Sequence, residues 1–145
     1  MENTAQWENR ITWSDELATG NEKIDEQHKT IFKITNSFIE KYIQGESKAS
    51  LGEMLDFLIN YTVEHFNYEE ELMTEHDYPA YEYHKKCHDD FKITVGDLIK
   101  DFEIRGATDE LSKTLSGAVV KWLIQHIKYE DFKIAKYLRK EKQVP

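Results

Sequence analysis

Six histidines stand in this 145-residue sequence, and their spacing relative to carboxylates is its most chemically informative feature. His65 and Glu69 are four residues apart, as are His84 and His88. Side chains at i and i+4 share one face of an α-helix, so each pair would aim two donors in the same direction. His28 lies among Ile24, Ile31 and Phe32, and His126 follows Val119, Trp122 and Leu123, which puts both on apolar faces. Imidazoles and carboxylates without a thiolate suit iron, manganese or zinc. Five inward histidines are too many for one ion, but they fit two ions that share bridging carboxylates inside a helical bundle.

Each residue taken singly has an ordinary reading. A lone histidine on an apolar face, such as His28 or His126, is usually a hydrogen-bonded core residue. His65 with Glu69 reads equally as an ion pair along a helix. Taken jointly, five buried imidazoles and a carboxylate without a shared partner carry a large desolvation cost, and a metal site removes it. His76 stays outside the set, because it falls about 16 Å along the helix axis from His65 at a rise of ~1.5 Å per residue. There it is expected to interact with the C-terminal end of the helix dipole. Cys87 lies about 60° from His84 around the helix and reads as a small, semi-buried apolar residue.

The elements that position these residues follow from apolar periodicity. Only two prolines occur, Pro79 and Pro145, so long helices are uninterrupted. Residues 1–20 read as an irregular arm whose Trp7, Ile11, Trp13 and Leu17 are available to pack on a bundle. A first helix is expected from Glu22 to Ile43 through Ile24, Ile31, Phe32, Thr35, Ile39 and Tyr42. A second runs from Ala49 to Glu75 through Leu51, Leu55, Leu58, Thr62 and Leu72, ending at Asp77-Tyr78-Pro79. A third runs from Ala80 to Ile104 through Tyr81, Phe91, Val95, Leu98 and Phe102. After the Arg105-Gly106-Ala107 turn, Thr108 or Asp109 caps a fourth helix carrying Leu111, Leu115, Val119, Trp122 and Leu123, a pattern that can continue to Leu138. The expected fold is all-α: an up-down-up-down antiparallel four-helix bundle over about 22–130, with a C-terminal helical extension over about 131–145. The whole chain, 1–145, is expected to be one domain.

Composition narrows the partners. A net charge of −9 argues against nucleic acid, which needs clustered Lys and Arg to neutralise phosphates. The same charge disfavours an anionic membrane surface, and no window approaches the ~20 apolar residues of a membrane span. Residues Met1 to Glu8 show neither a basic nor an apolar signal region. Cys87 is the single cysteine, so no intramolecular disulfide forms and a cytoplasmic, reducing location is expected.

The same residues resemble the hemerythrins, specifically the single-domain bacterial ones. The matching strings are Ile24-Asp25-Glu26-Gln27-His28 and His65-Phe66-Asn67-Tyr68-Glu69-Glu70. They continue with Tyr78-Pro79 ahead of His84 and His88, and with Trp122-Leu123-Ile124-Gln125-His126-Ile127 ahead of Asp131. Trp13 and Gly20 match the family's lead-in, so nearly the whole chain is covered. The resemblance implies two iron ions (Fe2+/Fe3+) with an oxo or hydroxo bridge. His84, His88 and His126 would hold the first iron, His28 and His65 the second, and Glu69 and Asp131 would bridge them. The second iron then has one coordination position open, where dioxygen can bind. By the same resemblance Ile31, Phe66, Phe91, Trp122 and Leu123 line the ligand pocket, a role compatible with being bundle core.

Two positions carry opposed readings. On a regular helix Glu130, at i+4, shares the face of His126, while Asp131 at i+5 points about 140° away. The resemblance selects Asp131, which requires a π-bulge or loosened turn near Lys128–Tyr129. Asp25 reads either as a first-turn helix acid or as a partner to a ligand histidine, with the former favoured. The function implied by resemblance is reversible dioxygen binding for storage, delivery or buffering, not an enzyme activity; any oxygen-consuming partner protein is unknown. The alternatives are a di-iron redox enzyme handling peroxide or nitric oxide, or an oxygen sensor module. The Glu-x-x-His motifs of ferritin-like enzymes do not occur here, and 145 residues are expected to leave no room for a sensor's output domain.

Overall fold

Four long helical rods account for most of the chain, and local chemistry sets where each begins and ends. The computed structural model describes residues 12–142; Trp7 and Ile11 lie outside them, while Trp13 and Leu17 pack against the core as expected. Helix α1 is Glu22–Ile43. Its N-cap is Asn21, whose side-chain oxygen accepts the Ile24 N–H at 3.0 Å and so satisfies one of the orphan donors of the first turn. A 3-10 turn, Ser47–Ser50, stands where the second helix was expected to start. Helix α2 then covers residues 51–75 and contains one wide π turn, Phe57–Thr62.

Helix α3 is Tyr81–Arg105 and stops at Gly106, which has a φ of 74° and donates its N–H to the Phe102 carbonyl at 2.8 Å. That left-handed backbone favours glycine. Helix α4 covers residues 109–142 and contains two wide π turns, Leu115–Val119 and His126–Asp131. Of the two candidate caps it is Thr108 that serves, its hydroxyl accepting the Leu111 N–H at 3.1 Å. Thr108→Ala is expected to lower stability by about 1 kcal/mol in denaturant unfolding, because that donor loses its partner.

Short connections make successive rods antiparallel, as in an up-down-up-down bundle. The core falls into two apolar blocks. The larger holds Phe38 and Ile39 of α1, Leu51 and Leu58 of α2, Val95 of α3 and Leu111 and Leu115 of α4. The smaller, at the opposite end, holds Ile24, Leu72, Met73, Tyr78, Ile134 and Leu138. Ile134 and Leu138 belong to the segment expected as a C-terminal extension, and they make it part of the bundle. That segment also holds the arm, since Arg139 donates from Nη2 to the Ala18 carbonyl at 2.7 Å. No helix among the described residues is long and apolar enough to cross a membrane.

Between the two blocks lies a layer of polar residues. His28, His65, Glu69, His84, His88, His126 and Asp131 are all buried, none more than 4% exposed. Burial of this many titratable groups in one layer is costly unless something satisfies them together.

Candidate metal centre

All four rods contribute to the polar layer, and the local geometry explains how. On α2, regular helix over Val63–Glu75 puts His65 and Glu69 on one face, with His65 Nε2 3.2 Å from Glu69 Oε2. On α3 the same spacing brings the His84 and His88 rings to 4.6 Å between centroids. α1 adds His28.

On α4 the five-residue step from His126 to Asp131 is accommodated by the π turn His126–Asp131, in the region where the sequence required a loosened turn. The wide turn carries one extra residue, so Asp131 takes the place that position i+4 holds on a regular helix. Asp131 Oδ1 lies 3.3 Å from His126 Nε2. Glu130 turns outward and pairs with Lys133 at 3.2 Å.

The donors divide into two groups. Glu69, His84, His88, His126 and Asp131 form one; His28, His65, Glu69 and Asp131 form the other. Each carboxylate gives one oxygen to each group. Glu69 Oε1 is 2.8 Å from His84 Nε2 and 3.2 Å from His88 Nε2, while Glu69 Oε2 is 3.2 Å from His65 Nε2 and 3.4 Å from His28 Nε2. Asp131 Oδ1 is 2.9 Å from His84 Nε2, while Asp131 Oδ2 is 3.0 Å from His28 Nε2. His126 Nε2 stands 3.1 Å from both His84 Nε2 and His88 Nε2.

This arrangement fits metal ions better than it fits protons. His126 Nε2 has a single hydrogen or a single lone pair to share between the two imidazole nitrogens beside it. His28 Nε2, His65 Nε2, Glu69 Oε2 and both Asp131 oxygens are buried with no hydrogen-bond partner of acceptable geometry, despite their close contacts. Donors about 2.1 Å from one ion and at right angles to each other lie about 3 Å apart, in keeping with the separations here. Imidazole with carboxylate and no thiolate suits iron, manganese or zinc.

Without ions the electrostatics are strongly perturbed. Burial alone would depress His28 and His84, but Asp131 and Glu69 outweigh it and hold them up at about 9 and about 10. His88 is raised in the same way, against burial, by Glu69 and Glu70. His65 goes down because burial dominates there. Burial pushes Glu69 up, yet the surrounding histidines, His65 first, hold it well below the carboxylate range. For Asp131, burial and Glu69 push up, and His126 and His28 bring it far down.

Of the expected pocket residues, Phe66 and Trp122 stack on histidines of this layer. Phe66 lies flat on the His88 ring, 3.9 Å between centroids and 5° between planes. Trp122 stacks on His126 at 4.8 Å and on Phe91 at 4.7 Å. Ile31, Phe66, Phe91 and Leu123 are buried, and Trp122 is partly so.

Other expectations divide. Asp25 accepts from the Thr19 backbone N–H at 2.8 Å and from its hydroxyl at 2.9 Å, so it serves the first turn and the arm, not a ligand histidine. His76 sits at the C-cap of α2 as placed, but its ring partner is the Glu141 carboxylate at 2.9 Å. Cys87 is free and semi-buried. Two residues escaped the sequence reading: Gln27, whose Oε1 lies 2.7 Å from His65 Nδ1, and Glu70, whose Oε2 lies 2.9 Å from His88 Nδ1. Each adjoins a donor residue in sequence, one step off the inward face, which is the signal that could have found them.

Residues 19–138 match the family model described as Hemerythrin HHE cation binding domain. The bacteriohemerythrin of Pseudomonas aeruginosa (strain LESB58) is 34% identical over 121 residues, covering 83% of this chain and 76% of its own. The bacteriohemerythrin of Methylococcus capsulatus (strain Bath) is 35% identical over 118 residues, covering 81% of this chain and 88% of its own. The myohemerythrin of Theromyzon tessulatum is 30% identical over 121 residues, covering 83% and 88% respectively. With a family match across most of its length and the histidine–carboxylate layer at its centre, this chain belongs to the hemerythrin family.

Proposed function

We propose that this protein binds dioxygen reversibly at a pair of iron ions, for storage, delivery or buffering. The observation that carries the reading is the division of the two carboxylates, each presenting one oxygen to a three-histidine group and the other to a two-histidine group. His84, His88 and His126 would hold one ion, His28 and His65 the other, with Glu69 and Asp131 shared. Bound there, the pair would supply the electrons that dioxygen takes up.

The chain's own residues supply the rest. The unequal donor sets direct a small ligand to the two-histidine side. Ile31, Phe66, Phe91, Trp122 and Leu123 wall the layer with apolar surface, which keeps out the water and protons that would make oxygen uptake irreversible. Stacking of Phe66 on His88 and of Trp122 on His126 fixes ring orientation, so the donors are held in place before any ion arrives. The single free cysteine suits a cytoplasmic setting.

The test is metal analysis followed by oxygen cycling. Two irons per chain are expected, together with a visible spectrum that appears under oxygen and disappears when oxygen is removed, over repeated cycles. Prompt one-way oxidation, or consumption of peroxide or nitric oxide with turnover, would overturn carriage in favour of a redox enzyme.

A further inference from the structure

Two of the five buried histidines are backed from behind by side chains of different charge. With Nε2 turned into the polar layer, each ring carries its proton on Nδ1. The His65 Nδ1–H therefore donates to an amide oxygen, Gln27 Oε1, at 2.7 Å. The His88 Nδ1–H donates to a carboxylate oxygen, Glu70 Oε2, at 2.9 Å. Both bonds cross between helices, Gln27 on α1 to His65 on α2, and Glu70 on α2 to His88 on α3. The Glu70 side chain is only 13% exposed, so water screens its charge weakly. Phe66 lies parallel to the His88 ring at 3.9 Å, which holds the plane and the direction of its N–H.

The two acceptors act differently on their rings. A carboxylate draws the Nδ1 proton towards itself and makes the ring a more basic, more electron-rich donor at Nε2. A neutral amide orients the ring but withdraws the proton much less. We propose that Glu70 and Gln27 are positioning residues that make electron donation unequal at the two metal positions, with Glu70 enriching the three-histidine side through His88 and Gln27 leaving the two-histidine side poorer. This inference rests on the proposed metal centre. It adds an electronic asymmetry to the numerical one: the side with more histidines is also the side backed by charge.

The contrast is reversible by near-isosteric exchange. Glu70→Gln keeps an acceptor for the His88 N–H and removes the charge, and Gln27→Glu adds a charge behind His65. In the iron-loaded protein, Glu70→Gln is expected to move the reduction potential positive, because the oxidised pair loses support, and Gln27→Glu to move it negative. Melting of metal-free Glu70→Gln is expected to fall modestly where His88 is protonated, since Glu70 helps to raise His88. The potentials of the iron-loaded proteins are therefore the deciding readout. Glu70→Ala, which removes the acceptor altogether, is expected to weaken ferrous-ion binding by roughly 10–100-fold. Glu70→Gln and Gln27→Glu are independent, so either one tests the idea if the other folds poorly. Two irons per chain with unmoved potentials in both, or shifts of the same sign, overturn the inference and leave the proposed function standing. Absence of bound iron in the wild-type protein overturns both.

Discussion

Asp131→Ala is expected to strip the centre of iron, and Glu130→Ala to leave it loaded. The contrast follows from one turn of helix. Asp131 is 1% exposed and lies 2.9 to 3.3 Å from His84, His28 and His126, with its two oxygens facing different histidine groups. Glu130 points away and pairs with Lys133 at a partly exposed site. On the proposed reading, losing Asp131 removes a donor from both ions at once. The fall in affinity should therefore exceed the roughly 10–100-fold that loss of a mere hydrogen-bond partner to a ligand costs. Because alanine also leaves an uncompensated charge among buried imidazoles, Asp131→Asn is the second variant. It keeps the shape while losing the carboxylate, and it should fail to load as well. Iron content per chain is the readout, with circular dichroism confirming the bundle. Full iron in the Asp131 variants and none in Glu130→Ala would show that the π turn His126–Asp131 does not direct the ligand.

The second large effect concerns the protein stripped of metal. In that state His28 is held up at about 9 and His84 at about 10, chiefly by Asp131 and Glu69 working against burial. A group whose pKa is higher in the fold than in the unfolded chain stabilises the fold fully below its unfolded value of about 6.5, and that contribution is lost as pH rises through the folded value. The metal-free protein should therefore melt at progressively lower temperature as pH climbs from about 6.5 to about 10. Glu69 and Asp131 are shifted the other way, so their contribution is present above the usual carboxylate range and lost on acidification. His65, lowered by burial, adds to the acid-side loss. Metal ions replace the protons on these rings, so the loaded protein should melt higher and show little of the alkaline decline. Melting curves of both forms across that pH range test this. A metal-free protein whose melting temperature is flat or rises above pH 6.5 would contradict it.

Much of the architecture can be read from periodicity alone. The first helix has the expected bounds, Glu22–Ile43, because Asn21 supplies a capping oxygen and Gly45, with a φ of 76°, lies just beyond its end. The pairs His65/Glu69 and His84/His88 are legible because regular helix converts a step of four into a shared direction. The widened parts of α4 left a subtler trace. Leu111, Leu115, Val119, Leu123 and Ile127 are all buried at a step of four, longer than the 3.6 residues of an α-helical turn. Only an under-wound helix keeps such a row on one side, and the π turn Leu115–Val119 does that. The π turn Phe57–Thr62 has no comparable signature, since the buried positions around it step by three and four as in any helix.

The sequence by itself determined that five histidines and a carboxylate point inward from four helices, which is what identified a shared metal layer. A helical pattern states where a side chain points around its own axis, and it says nothing of how that axis is rotated against its neighbours. Tertiary packing decided the remainder. It divided the oxygens of Glu69 and Asp131 between two histidine groups. It brought Asp131 inward in place of Glu130, as the family resemblance implied and regular helix spacing did not, through a turn one residue wider than an α-helical one. It also set Gln27 behind His65, 38 residues away, and Glu70 behind His88, 18 residues away. Hydrogen bonds of about 3 Å reward small differences in rotation and depth that apolar burial tolerates, so the unequal backing of the two histidine groups emerges only once all four helices are packed.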